Sequence, residues 1–158
     1  MDNPYYERLV NAAIRFVSFR PRSQKEFTDF LDKKLTRWDV SGAGLIAKVI
    51  GRMEELGYVD DVKFAAWWVD QRTAFRPKGN RVIEIELIRK GVPRAIIASV
   101  LSSRGSQSLL AAAKQAVAKK LHLWVKLPDM ARKKKLYDYL GRRGFDSETI
   151  GKLIDERE

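Results

Sequence analysis

Two segments of this 158-residue chain return at a fixed spacing, and that spacing constrains the fold more than any other feature. Arg89-Lys90-Gly91-Val92, followed by Ile97, Val100 and Leu101, returns as Arg142-Arg143-Gly144-Phe145, followed by Ile150, Leu153 and Ile154; every position is displaced by 53 residues. Leu87 and Leu140 obey the same displacement. Upstream, Phe19-Arg20-Pro21 returns as Phe75-Arg76-Pro77, displaced by 56. A period of this size marks a supersecondary unit stacked in tandem. Such stacks offer an extended surface to a long partner rather than an enclosed active-site pocket.

The units read as helical. Valine and isoleucine do not alternate with period two, and no Asn-Gly or Asp-Gly pair separates apolar runs. Leu9, Ala12, Ala13, Phe16 and Val17 fall at helical spacing, and Arg20-Pro21 ends that helix because a residue before proline is pushed out of the α region. Ser23 and Glu26 have the spacing of a capping box. Phe27, Phe30, Leu31 and Leu35 form the stripe behind it. Ile46 to Leu56 reads as a third helix stopped by Gly57. Asp60 is placed to cap a helix carrying Phe64, Trp67 and Trp68. Pro77-Lys78-Gly79-Asn80 breaks it, Val82 to Leu87 forms the next, and Pro93 suits the first turn of another. Helices over 109–121, 128–143 and around 150–154 complete the chain. The expected fold is all-α: three tandem three-helix repeats in an elongated, curved helical array, bounded at 1–59, 60–105 and 106–158. Arg104-Gly105-Ser106 reads as a linker. Trp38 to Gly42 reads as a loop holding five residues that the other repeats lack.

With 45% hydrophobic residues the chain can bury a core. It has no cysteine, which excludes disulfides and thiolate chemistry. No apolar run approaches the ~20 residues of a membrane span, and the start lacks a signal-peptide layout, so a cytoplasmic protein without membrane association is expected. The formal charge of +11 is unevenly spread. Residues 1–62 hold ten basic and ten acidic side chains; residues 63–105 hold nine and three; residues 106–158 hold twelve and seven. The surplus thus falls on the second and third repeats, as expected for a polyanionic partner.

One combination of motifs is specific. Arg22-Ser23-x-x-Glu26 is followed by Leu56-Gly57-Tyr58-Val59-Asp60-Asp61-x-x-Phe64-Ala65, then Arg72, then Lys78-Gly79-x-x-x-Ile83-x-x-Glu86-Leu87-x-x-Lys90-Gly91-Val92, then Leu140-x-Arg142-Arg143-Gly144-Phe145. This series, spread over nearly the whole chain, resembles the RecX family of bacterial regulators of the RecA recombinase. The resemblance implies a tandem array of three-helix motifs and a non-enzymatic modulator. Such a modulator would lie in the groove of the RecA–DNA filament and damp strand exchange, ATP hydrolysis and co-protease activity, with consequences for DNA repair and the SOS response. It implies RecA as partner, single- or double-stranded DNA as a direct contact, a monomer, and no cofactor.

The residues expected to meet RecA or DNA are cations of the second and third repeats: Arg72, Arg76, Lys78, Arg81, Arg89, Lys90, Arg94, Arg132, Lys133, Lys134, Lys135, Arg142 and Arg143. Arg132 to Lys135 is the densest run, although four successive helical positions cannot share one face. Lys78 and Arg81 open a helix, where cations are mildly unfavourable, which hints at a partner. Adjacent Trp67 and Trp68 point about 100° apart, so core packing is expected of one, and of the other packing on a neighbouring repeat or stacking on a base. His122 is the only histidine, Gly42-Ala43-Gly44 lacks the rest of a phosphate loop, and no catalytic or metal constellation is expected. The other reading is a helix-turn-helix transcription regulator built on Leu87 to Leu101. Ile96-Ile97-Ala98-Ser99-Val100 offers few base-reading side chains, which weighs against it.

Overall fold

A computed structural model describes residues 3–157, leaving Met1, Asp2 and Glu158 outside it. Ten helices run in chain order: α1 (Tyr6–Ser18), α2 (Gln24–Arg37), α3 (Ala43–Glu55), α4 (Asp61–Ala74), α5 (Asn80–Arg89), α6 (Arg94–Ser102), α7 (Ser106–Ala118), α8 (Leu121–Trp124), α9 (Asp129–Arg142) and α10 (Ser147–Arg157). No strand occurs among the described residues.

The apolar stripes gather into three separate clusters. Leu9, Phe27, Leu31, Val49 and Met53 centre the first, Phe64, Ile83, Leu87 and Ile97 the second, and Val117, Leu136, Leu140 and Leu153 the third. Each cluster is built alike. The first and last helices of the group pack together (α1 on α3, α4 on α6, α7 on α10), and the middle helix (α2, α5 or α9) closes the set. Every strongly packed helix pair lies within one group. The chain exposes 10103 Å², against about 8,100 Å² for a compact monomer of its mass. That excess is the surface signature of an elongated array.

Two details depart from the sequence reading. The third group has a fourth helix, α8, because Leu121 and Trp124 dip back onto its cluster at i, i+3 spacing and wind one turn there. The expected helix over 109–121 therefore ends at Ala118. The five extra residues near Trp38 are also not mainly a loop. Helix α2 has 14 residues where α5 has 10, and only residues 38–42 remain as connection, against 90–93 after α5. Leu35, buried four residues after Leu31, continues the stripe through that added turn.

The groups meet where helices abut end to end. At the first joint, the Ser23 hydroxyl donates to the carbonyl of Lys90 at 2.7 Å while accepting the Glu26 N–H at 3.1 Å. The Gln24 N–H donates to the Asp61 carboxylate at 2.9 Å. The N-terminus of α2 thus receives the C-terminus of α5, and its orphan donors are satisfied partly from the next group. Asp60 caps α4 through the Val62 and Lys63 N–H groups, as its position suggested. At the second joint, the N–H groups of Gly79 and Arg81 donate to the carbonyls of Arg143 and Gly144 at 2.8 and 3.2 Å. The N-terminus of α5 receives the C-terminus of α9, negative end of one helix dipole on the positive end of the next.

The repeated glycine makes this abutment possible. Asp39, Gly91 and Gly144 each follow the C-cap of a middle helix at positive φ, +54°, +78° and +94°. The same backbone bonds close all three turns. Both glycines press on another group. A Cβ on Gly144 would lie 2.5 Å from the Val82 nitrogen, and one on Gly79 would lie 2.2 Å from the Gly144 carbonyl carbon.

Candidate polyanion-binding surface

The second joint gathers cations. Because the α9 carbonyls sit on the start of α5, Arg143 comes beside Lys78. Burial pushes the Lys78 ammonium below its usual range; Arg143 lowers it further, Glu86 opposes, and Arg72 and Arg76 add to the lowering. Four cations expected from sequence therefore share one neighbourhood. The α9 carbonyls also supply an internal partner for the helix start that Lys78 and Arg81 open.

The loop between α4 and α5 forms one wall. Arg104 braces it from both sides. Its guanidinium donates to the Lys78 carbonyl and Asn80 Oδ1, both at 3.0 Å, and to Thr73 Oγ1 at 3.4 Å. Burial lowers the pKa of this guanidinium. Between these anchors Pro77 is buried, Arg76 stands at φ +85°, and Phe75 is 69% exposed. A non-glycine residue at that φ is uncommon and strained.

Across from the loop lie Gln115, Ala116, Lys119 and Lys120 of α7 and its end, with Tyr139 and Arg143 of α9. Together they bound a cleft of about 480 Å³. It runs on into a second depression lined by Lys120, Leu123, Trp124, Tyr139, Arg142 and Arg143. Tyr139 donates its hydroxyl to the Ala116 carbonyl at 3.2 Å, and Arg143 lies over its ring at 4.9 Å. Arg76, Lys119, Lys120, Arg142 and Arg143 line the two depressions, and no carboxylate does.

Family models match both sides of this cleft. Residues 60–101 match the second three-helix domain of RecX and residues 107–154 match the third. The chain belongs to the RecX family. It is 35% identical to the regulatory protein RecX of Chlorobium phaeobacteroides (strain BS1) over 95% of this chain and 93% of that one. It is 34% identical to the regulatory protein RecX of Prosthecochloris aestuarii over 99% and 97%. The regulatory protein RecX of Bacillus subtilis is 34% identical over 94% of this chain, which spans 54% of that longer relative. The crystal structure of RecX from Lactobacillus salivarius superposes with a TM-score of 0.84 over 96% of this chain and 95% of that one, at 22% identity, so the fold is shared.

The cleft thus lies between the RecX second and third three-helix domains, and the expected contact residues divide around it. Arg72, Arg76, Lys78, Arg142 and Arg143 come together at or beside it. Arg72 is partly spent internally: its Nε donates to Glu86 Oε2 at 2.8 Å. Arg81 is exposed near the start of α5. Arg89, Lys90 and Arg94 sit at the far end of α5, toward the first joint. There Lys90 pairs with Glu26 at 3.6 Å, while Arg89 and Arg94 are exposed. Arg132 pairs with Asp129, and Lys133 lines a different pocket with Leu121, His122 and Val125. Lys134 and Lys135 are exposed on α9. Trp67 and Trp68 are both half-buried. Trp68 donates to Glu86 at 2.6 Å, and Arg20 of the first group lies 5.7 Å above the Trp67 ring.

Three cleft residues escaped the sequence reading. Lys119 and Lys120 were hidden in a helix expected to run on to residue 121; a lysine pair closing an alanine-rich segment was the available signal. Arg104 read as a linker, and only its long-range bonds to Thr73, Lys78 and Asn80 reveal its role.

Proposed function

We propose that this protein regulates RecA by binding its nucleoprotein filament on DNA, as a cytoplasmic monomer without enzymatic activity of its own. Its three repeats, bounded near residues 59/60 and 105/106, lie along the filament and damp recombinase, ATPase and co-protease activity. The observation that carries this reading is the cluster of cations between the RecX-like second and third domains, lined by no acid and facing outward on an elongated frame. A partner made of DNA phosphate or acidic protein surface complements it. The transcription-regulator reading finds little support in α6, whose exposed positions are Arg94, Ala95, Ala98, Ser99 and Ser102. Only Arg94 among them reads a base edge well.

The test is ATP hydrolysis by RecA on single-stranded DNA with this protein titrated in at two salt concentrations. Suppression is expected, weakening at higher salt as phosphate contacts lose their counterion-release term. Suppression well below one copy per RecA would indicate capping or destabilisation of filaments, and suppression only near saturation would indicate groove occupancy. Unchanged hydrolysis at both salts, with the protein folded, would sink the assignment.

A further inference from the structure

The repeated Phe-Arg-Pro motif has no part in any apolar cluster; Phe75, Arg76 and Pro77 all line the cleft at the second joint, whereas at the first joint Arg20 and Pro21 line a cleft and Phe19 does not. Phe19 is 83% exposed and Phe75 is 69% exposed. The two surroundings differ in charge. Beside Phe19, Arg20 is committed to Glu26 at 2.5 Å and Arg22 approaches the same carboxylate at 3.9 Å. Asp60 lines that cleft with Arg20, Arg22 and Lys63. Beside Phe75, Arg76 has no carboxylate partner among the described residues, nor do Lys119, Lys120, Arg142 and Arg143. The Phe-Arg-Pro motif therefore stands in two electrostatic settings, the first neutralised from within and the second left open.

We propose that the second cleft binds single-stranded nucleic acid, with phosphates on Arg76, Lys120, Arg142 and Arg143 and an unpaired base stacked on Phe75. The proposal rests on the reading of this protein as a RecA-filament regulator, and it names the strand-binding site within it. An open cationic groove bordered by an exposed ring is the arrangement by which proteins hold single strands without reading sequence. The ring is held ready. Arg104 fixes both ends of its loop and Pro77 is buried beneath it, so a base meets a surface already ordered. The depression over Leu123, Trp124 and Arg142 continues the path beyond one nucleotide. A duplex keeps its bases paired and leaves Phe75 unused. An acidic protein surface would use the cations alone, since a run of carboxylates brings no ring to Phe75.

The experiment is fluorescence anisotropy of a labelled oligothymidine with the intact protein alone, without RecA. A duplex of the same length and a polyglutamate peptide serve as competitors. Tighter binding of the oligothymidine than of either competitor is expected. Phe75→Ala should weaken it roughly 5- to 100-fold, while Phe19→Ala, beside the neutralised arginines, should change it less than twofold. Circular dichroism would confirm that both variants fold, as their exposed positions allow. Lys120→Glu should weaken binding and flatten its salt dependence by about 0.7 in log–log slope per phosphate lost. Equal losses for Phe19→Ala and Phe75→Ala would overturn the proposal, as would duplex competing as well as single strand. Polyglutamate competing equally would overturn it too, showing that the cleft reads charge alone and takes an acidic protein. RecA-dependent ATP hydrolysis is followed in parallel. Suppression without oligothymidine binding removes the cleft and leaves the regulatory role; oligothymidine binding without suppression does the reverse.

Discussion

Glu26 links local capping to the joint between repeats. It accepts the Ser23 N–H at 3.1 Å, pairs with Arg20 at 2.5 Å and reaches Lys90 at 3.6 Å, with only 14% of its side chain exposed. Burial pushes its pKa up, but the Arg20 and Ser23 hydrogen bonds and the Arg20 and Lys90 charges outweigh that and hold it below the ordinary value. A carboxyl depressed on folding stabilises the fold above its unfolded pKa, and that stability is lost as pH falls through the folded one. Glu26→Gln is therefore expected to cost about 2 kcal/mol in urea unfolding at pH 7, with the difference from the parent shrinking below pH 4.5. Lys78 has the opposite sign. Its pKa is lowered on folding, so its charged form strains the joint at neutral pH, and relief comes as pH rises between the folded value and the ordinary 10.5. Lys78→Met should raise Tm at pH 7 and gain less from added sulfate than the parent does. The capping half of this was legible, because Ser23-x-x-Glu26 is a local pattern. The pairing with Lys90 was not, since nothing local in the chain brings residues 26 and 90 together.

At the scale of elements, the glycines separate two reasons for the same residue. Gly57 stands at φ +81° with nothing within 4 Å of where a Cβ would stand, so it serves conformation alone. Gly144, at φ +94°, also lies against Val82 of the neighbouring group. Asp39 holds the equivalent place in the first repeat, at φ +54°, where no earlier repeat presses on it. Left-handed backbone by itself is thus tolerated at this turn, and close approach is what demands glycine. Gly57→Ala is expected to cost about 1 kcal/mol. Gly144→Ala should cost about 3 kcal/mol, adding overpacking to backbone strain. Urea denaturation gives both values. Hydrogen exchange should show the second loss concentrated in α9 and α10 while α1 to α3 keep their protection. The Arg-Lys-Gly-Val and Arg-Arg-Gly-Phe repeat was plain in the sequence as a helix stop. Its second task, seating one repeat on another, depends on what lies 2.5 Å away and leaves no mark on local periodicity. Helix lengths were less legible: the residues added to α2 read as loop although Leu35 continues the Phe27 and Leu31 stripe, and α8 depends on a return to the third cluster that its own four residues do not encode.

At the scale of the whole molecule, charge and shape act together. The strongest helix packing lies within groups, so each repeat contributes its own core, and the close contacts at the joints fix how the repeats face. This makes an experiment on one repeat interpretable for that repeat. The class and repeat number were legible because hydrophobic period and the 53-residue echo are properties of the chain alone. The surface was only half legible, because a count of cations cannot tell which are spent. Arg72, Lys90 and Arg132 are paired with Glu86, Glu26 and Asp129, while Arg76, Arg142 and Arg143 remain open. Two lysine pairs on different repeats separate a localised contact from a general attraction: Lys119 and Lys120 at the cleft, and Lys33 and Lys34 on α2 of the neutral first repeat. Reversing either pair to glutamate changes net charge by the same amount, so a general attraction to a polyanion would weaken equally. A localised contact would not. Lys119→Glu with Lys120→Glu is expected to abolish most suppression of RecA ATP hydrolysis at moderate salt, with Lys33→Glu and Lys34→Glu reducing it no more than a few-fold through the long-range field. Equal losses would assign the effect to net charge, and loss confined to the α2 pair would move the contact surface to the first repeat.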